Sequence, residues 1–199
     1  MHKCTAVIMV KNWGGPPLNL EKKAFRETQI KKMQHAAQET TQAAPALLAQ
    51  LMAMPQWHQA KTVGVTVSSP IEVPTEPIMR AALAAGKMVL LPKCMPHRQM
   101  AFLPDPGADQ RIKSSFGIPE PAYDAELVNN QPDLLIVPGI AYAKDTHARI
   151  GFGGGYYDRF LAQYQGPTVT LAAPVMVYET AQWPVEPFDI LLDTVLTID

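Results

Sequence analysis

Ten consecutive residues, Arg149-Ile150-Gly151-Phe152-Gly153-Gly154-Gly155-Tyr156-Tyr157-Asp158, bring an arginine, four glycines and a carboxylate together. Gly151, Gly153, Gly154 and Gly155 lack Cβ atoms, so their backbone can approach a ligand closely, adopt φ > 0 and turn several N–H groups toward one anion. Phosphate is the matching guest, because Arg149 can grip its oxygens bidentately and Asp158 offers the hard oxygen ligand that magnesium prefers. Tyr156 to Leu161 reads as a first helical turn, whose unpaired N–H groups and positive dipole end add to the same anion site. Glycine-rich strand-to-helix turns also serve as plain connections, so the glycines alone leave both readings open. The run is no P-loop, since no Lys-Ser or Lys-Thr follows it, and Tyr156 stands where the dinucleotide fingerprint needs its third glycine.

The strand-like run Asp133 to Pro138 precedes this segment across a stretch that reads as a polar loop. Upstream, Thr62 to Val67 is β-branched and reads as a strand, Thr75 as the cap of a helix bearing Ile78, Met79, Ala82 and Leu83, Gly86 as its stop, and Met88 to Leu91 as the next strand. A strand, helix and strand so close together imply a right-handed crossover and a parallel pair. Further strands are expected over 100–103, 134–137, 168–172 and 194–198. The expected fold is therefore single-domain α/β, with a mostly parallel or mixed central sheet flanked by helices. Ligands in such folds favour the carboxyl ends of the strands, where the glycine run belongs. Near the start, Asn19 is placed to cap a helix with apolar positions Phe25, Met33, Ala36 and Ala37 that ends before Pro45, and a second short helix is expected over 46–53.

On the first helix Lys22 and Arg26 lie four residues apart, on one face. That suits a triphosphate; it also suits a solvated basic face shared with Lys23, Lys31 and Lys32, which spacing alone favours. Glu72, after the first strand, is on its own account an ordinary polar loop residue. His2, His35, His58, His97 and His147 are scattered with no H-E-x-x-H spacing, and no G-x-S-x-G elbow is present, which argues against a zinc hydrolase and a serine hydrolase.

A chain of 199 residues with 47% hydrophobic content can bury one sizeable core. Its formal net charge of -1 gives no general attraction to nucleic acid or anionic membrane, so anion binding must be local. Cys4 and Cys94 form no C-x-x-C pair, and the run Thr5 to Val10 is too short for a membrane span. The cytoplasm is the expected compartment. Asn12 to Pro17 reads as a break, which sets residues 1–18 apart as a leader from a domain over 19–199.

The stretch Val137 to Ala162, with its glycine spacing and closing Tyr-Tyr-Asp-Arg-Phe-Leu, resembles the signature of the 5-formyltetrahydrofolate cyclo-ligase family, also called methenyltetrahydrofolate synthetases. Lys22-Lys23-Ala24-Phe25-Arg26, Glu72-Val73-Pro74-Thr75, Leu91-Pro92-Lys93, Gly117-Ile118-Pro119-Glu120-Pro121 and Phe188-Asp189 follow in the family's order, so the likeness runs from about Lys22 to the C-terminus. It is joined by two departures: Phe116 stands where vertebrate relatives carry tryptophan, and Thr66 where many carry tyrosine.

The resemblance implies a fold related to sugar-phosphate isomerases and CoA-transferases, and a ligase that converts 5-formyltetrahydrofolate to 5,10-methenyltetrahydrofolate with ATP and Mg2+; the sequence itself does not give the oligomeric state, and a monomer is the expectation. It assigns Lys22, Lys23, Arg26, Arg149, Gly151, Gly153, Gly154, Gly155, Tyr156 and Tyr157 to ATP. Glu72, Phe116, Gly153 to Gly155 and Tyr156 fall to the folate, Arg149 and Tyr156 to the reacting groups, and Asp158 and Asp189 to magnesium, with Asp193 as the alternative to Asp189. A carboxylate at 72 suits a pterin, since it accepts hydrogen bonds from amino and ring N–H groups. Small molecules are the expected partners, not nucleic acid or membrane. A folate- or nucleotide-binding regulatory module without turnover is the alternative from another class; retention of both Arg149 and Asp158 argues against it.

Overall fold

The computed structural model describes residues 18–198, so the expected leader lies, apart from Leu18, outside the described residues. Helix α1 (Leu18–His35) already includes Asn19 in its first turn, so Asn19 does not cap it. Helix α2 (Ala37–Ala53) follows after a kink at Ala36 and runs straight through Pro45, where the sequence predicts a stop. The reason is one of faces. Thr40, Ala43, Ala44, Leu47 and Leu51 are buried together, whereas Pro45 points to solvent, where water can serve the carbonyl its missing N–H leaves free. Burial of that face outweighs the roughly 3 kcal/mol that an interior proline costs. A short helix α3 (Pro55–Gln59) completes the N-terminal layer.

The strands then appear in order: β1 (Thr62–Gly64), helix α4 (Glu76–Ala84), β2 (Met88–Cys94), β3 (Met100–Pro104), β4 (Ile112–Lys113), β5 (Pro119–Glu120), β6 (Leu134–Ile136), β7 (Ala141–Ala143), β8 (Arg149–Ile150), helix α5 (Tyr156–Leu161), β9 (Thr168–Ala172), β10 (Val177–Tyr178) and β11 (Thr194–Thr197). Six of them form the central sheet in the order β11-β9-β6-β1-β2-β3, with every pair parallel except β2 with β3. This is the mostly parallel α/β sheet expected. Its middle strands are buried on both sides, as parallel strands covered by helices must be: β6 and β9 expose no residue. Helix α2 packs on β9 and β11, α4 on β2 and α5 on β3.

Two expectations shorten or fail here. The first strand stops at Gly64, not Val67, because the chain must turn out of the sheet to form the wall of a cavity described below. Thr75 does not cap α4: its hydroxyl donates to the Thr66 carbonyl at 2.7 Å and accepts the Ser68 N–H at 2.9 Å, which folds the 66–75 loop onto itself. Gly86 does end the helix, at φ +72°.

The stretch read as a polar loop before Arg149 is instead a buried antiparallel hairpin. β7 and β8 pair Ala141 with Ile150 and Tyr142 with Arg149, and β10 adds to β7 in parallel. This small second sheet carries Arg149 to the carboxyl edge of the central one.

Candidate active site

Arg149 is the buried hub. It is 6% exposed, donates from Nη1 to the Pro138 carbonyl at 3.1 Å and from Nη2 to Asp158 Oδ1 at 2.7 Å, and its guanidinium lies 5.7 Å from the centre of the Tyr157 ring. Two of its five N–H groups are thus engaged by the protein, and Nε has no protein partner although it is buried. The expected bidentate grip on phosphate is therefore narrowed to the remaining donors. Gly151 makes room for this side chain, since a Cβ there would sit 2.8 Å from Arg149 Nη1.

Of the glycines expected at positive φ, Gly153 (+102°) and Gly155 (+67°) adopt it; Gly151 and Gly154 do not. Gly155 precedes α5, which has only six residues, so the glycine backbone and not a helix dipole dominates the local field. The loop wraps Arg26. Arg26 Nε donates to the Gly151 carbonyl at 2.9 Å, and a Cβ at Gly153 would meet the Arg26 guanidinium at 3.5 Å.

One turn before Arg26, Lys22 is almost fully buried, and its Nζ donates to Glu186 Oε2 and Asp189 Oδ2, each at 2.6 Å. The same ammonium lies 5.6 Å from the Phe188 ring centre. Burial lowers the pKa of Arg26, and the nearby carboxylates of Asp189, Asp158 and Glu186 oppose that shift and keep it cationic. Lys22, Arg26, Arg149, Asp158 and Asp189, spread over the sequence, thus converge with the glycine run. Lys23 does not join them; it points outward from α1. Asp193, the alternative to Asp189, accepts the Thr168 N–H and hydroxyl at 2.8 Å each, at the start of β9 and hence at the opposite sheet edge.

Glu186 escaped the sequence reading. Its signal is the turn Glu186-Pro187-Phe188-Asp189, with proline at the second position and an acid at each end; the Asp189 N–H donates to the Glu186 carbonyl at 2.9 Å.

Beside this cluster, at the carboxyl ends of β1, β6 and β9, lies a mostly apolar cavity of about 30 Å³, walled by Val65, Ile78, Val137 and Leu171, into which Glu72 and Thr66 bring polar groups. Glu72 Oε2 accepts the Ser69 N–H at 2.9 Å, and burial raises the carboxyl pKa above its ordinary value. Thr66 Oγ1 is hydrogen-bonded to the Tyr157 hydroxyl. Burial pushes the pKa of that hydroxyl up, so it stays protonated and engaged with Thr66. Phe116 is 58% exposed between β4 and β5 and meets the Tyr156 ring edge-on at 5.8 Å, so it is a rim residue and not part of the core. Tyr156 is in this way held between the glycine loop and the β4–β5 hairpin.

The carboxylates suit magnesium in one specific way. Mg2+ usually takes one or two carboxylates and completes its octahedron with substrate oxygens and water. Asp158 and Asp189 flank Arg26 and can supply those carboxylates, whereas no group of three or more His, Cys, Asp or Glu side chains able to cage a metal occurs among the described residues.

Residues 19–198 match the model of the 5-formyltetrahydrofolate cyclo-ligase family. The chain is 30% identical to the 5-formyltetrahydrofolate cyclo-ligase of Haemophilus influenzae over 190 residues, covering 88% of this chain and all of that one. It is 32% identical to the Escherichia coli K12 enzyme of the same name, over 74% of this chain and 83% of that one. Its fold superposes on the solution structure of the Aquifex aeolicus 5,10-methenyltetrahydrofolate synthetase with a TM-score of 0.74 and 26% identity, covering 88% and 89% of the two chains. The signature seen in the glycine run therefore extends through the whole described fold, and the chain belongs to the 5-formyltetrahydrofolate cyclo-ligase family.

Proposed function

We propose that this chain converts 5-formyltetrahydrofolate to 5,10-methenyltetrahydrofolate, with ATP giving ADP and phosphate. The observation that carries the reading is the convergence of Lys22, Arg26, Arg149, Asp158 and Asp189 on the glycine backbone, next to a small cavity lined in part by Glu72, in a member of this family. Residues 19–199 act as one catalytic unit, cytoplasmic and monomeric, on small molecules alone. No described helix is long and apolar enough to cross a membrane.

The formyl group on N5 is amide-like: its carbon is a poor electrophile and its oxygen a poor leaving group. Transfer of the γ-phosphoryl group of ATP to that oxygen gives an iminium phosphate. The N10 nitrogen then attacks the carbon, the five-membered ring closes, N10 gives up its proton, and phosphate departs with the original formyl oxygen. The attacking oxygen belongs to the substrate and needs no general base, so the protein's part is positioning and charge stabilisation. Magnesium, when bound, neutralises phosphate charge, and Asp158 and Asp189 are the residues to hold it. Arg26 and the free donors of Arg149 meet the phosphates, the backbone N–H groups of Gly153 to Gly155 cradle them, and Tyr156 orients the formyl group. Glu72 accepts the N–H groups of the pterin.

Formation of methenyltetrahydrofolate, followed by its absorbance, requires both ATP and Mg2+ on this reading. Turnover that ignores either, or binding without turnover as the regulatory alternative demands, rejects it.

Three further outcomes follow from individual residues. Arg26→Ala removes a charge-assisted contact and also frees the Gly151 carbonyl, so the apparent ATP affinity should fall by about 1.5–3 kcal/mol. Unchanged ATP dependence in a folded variant excludes Arg26 from the site. For Asp158→Asn, which keeps shape and removes charge, a Mg2+ titration should shift to higher metal with lower maximal turnover; a titration identical to the parent's makes Asp158 purely structural.

Glu72 must be ionised to accept pterin N–H groups, and its pKa is raised by burial. Folate affinity should therefore be constant above that raised pKa and fall as pH drops through it. In Glu72→Gln this acid limb should vanish from the pH profile of the folate KM; a limb that persists belongs to another group.

A further inference from the structure

The cations expected to meet phosphate are occupied by the protein's own carboxylates. Lys22 holds Glu186 and Asp189, Arg149 holds Asp158, and Arg26 lies in the field of all three acids. Three cations thus face three carboxylates, and the cluster has no net charge with which to attract a polyphosphate. Asp158 and Asp189 have a task toward a divalent cation. Glu186 has none.

Its placement is nevertheless tightly built. The Glu186 N–H donates to Asp189 Oδ2 at 2.8 Å and the Asp189 N–H donates back to the Glu186 carbonyl at 2.9 Å, so the turn fixes both carboxylates on one ammonium. The Lys22 side chain is 8% exposed and that of Glu186 21%, and at such burial the attraction is little weakened by solvent. A phosphate that takes Lys22 away leaves Glu186 and Asp189 unpaired, side by side and facing the phosphate's own charge. Like charges so placed repel one another strongly in a partly buried site.

We propose that Glu186 is a positioning residue that reserves Lys22 for metal-bound nucleotide. Lys22 passes to the polyphosphate only when a divalent cation arrives with it and offsets the carboxylates left behind. The inference rests on the nucleotide site proposed above and deepens it. Nucleotide and metal then bind with strong positive coupling, each raising the affinity for the other by the same factor, and part of that coupling resides in Glu186.

Calorimetric titration of the full chain with ATP, in chelator and again in excess Mg2+, tests this without reference to turnover. The parent should bind ATP far more weakly in chelator. Glu186→Gln keeps the side chain's shape and deletes its charge, so it should bind metal-free ATP about tenfold more tightly than the parent, the order expected on removing one like charge from a partly buried cluster. The advantage conferred by Mg2+ should shrink by the same factor. Glu186→Asp retains the charge and should stay near the parent. A Glu186→Gln protein that binds metal-free ATP no more tightly overturns the proposal, as does a Glu186→Asp protein that shifts equally, since packing and not charge would then be the cause. Should Glu186→Gln not fold, a parent that binds ATP equally well with and without Mg2+ overturns it alone. In all those cases the parent still binds ATP with Mg2+; a parent that binds it in neither form removes the nucleotide site itself.

Discussion

Gly153→Val is expected to abolish 5-formyltetrahydrofolate-dependent ADP production while leaving most of the fold in place. At φ +102° the backbone is in a region that β-branched residues avoid, and the added Cβ stands 3.5 Å from the Arg26 guanidinium, so the valine methyl groups must displace that side chain from the phosphate site. The strain amounts to about 1–3 kcal/mol. Because Gly153 is exposed, the core is untouched. Gly153→Ala separates the two effects: its Cβ makes only an ordinary contact with Arg26, so it carries the strain without the displacement and should keep measurable turnover. Unfolding temperature and kcat/KM must be read on the same samples. A folded Gly153→Val protein with parental kcat/KM would reduce the loop to a connection.

Arg149→Met is expected to be the most damaging single change to fold and turnover together. Methionine matches the length of the buried stem but leaves the Pro138 carbonyl without its 3.1 Å donor and Asp158 without its 2.7 Å partner. Breaking a buried pair by deleting one partner costs about 3–5 kcal/mol, less here because the Asp158 side chain is 29% exposed, so about 2–4 kcal/mol is the expectation. Loss of a donor aimed at developing phosphate charge should lower kcat by about 10²–10³. Arg149→Lys should not restore either property, since one ammonium on a flexible stem does not reproduce the planar fork that spans Pro138 and Asp158. An Arg149→Met protein with parental unfolding temperature and kcat within tenfold of the parent would show that Arg149 is neither hub nor ligand.

What could be read from the sequence was what is local. The glycine run, Arg149 and Asp158 are neighbours along the chain, so their types and spacing already outline an anion site. The parallel strands announce themselves as apolar, β-branched runs because both their faces are covered. The β7–β8 hairpin was illegible for the opposite reason: strands of three and two residues carry no period, and Ala141-Tyr142-Ala143 shows no strand pattern at all. Pro45 misled because its cost depends on which face it occupies, a fact fixed only by packing against β9 and β11. The charge state of the site was hidden by distance. Lys22 and its two carboxylates lie 164 and 167 residues apart, and nothing near Lys22 in the chain says that its charge is already matched. Likewise Asp189 and Asp193 look equivalent four residues apart, yet one joins Lys22 and the other anchors the start of β9.

The proposal that ATP phosphorylates the formyl oxygen has a direct isotopic test. With 5-formyltetrahydrofolate carrying 18O in the formyl group, one labelled inorganic phosphate should be released for each methenyltetrahydrofolate formed, with no label in ADP or water. Unlabelled phosphate, or label in water while ring closure proceeds, would contradict phosphoryl transfer to the formyl oxygen and with it the roles given to Lys22, Arg26, Arg149 and the glycine loop.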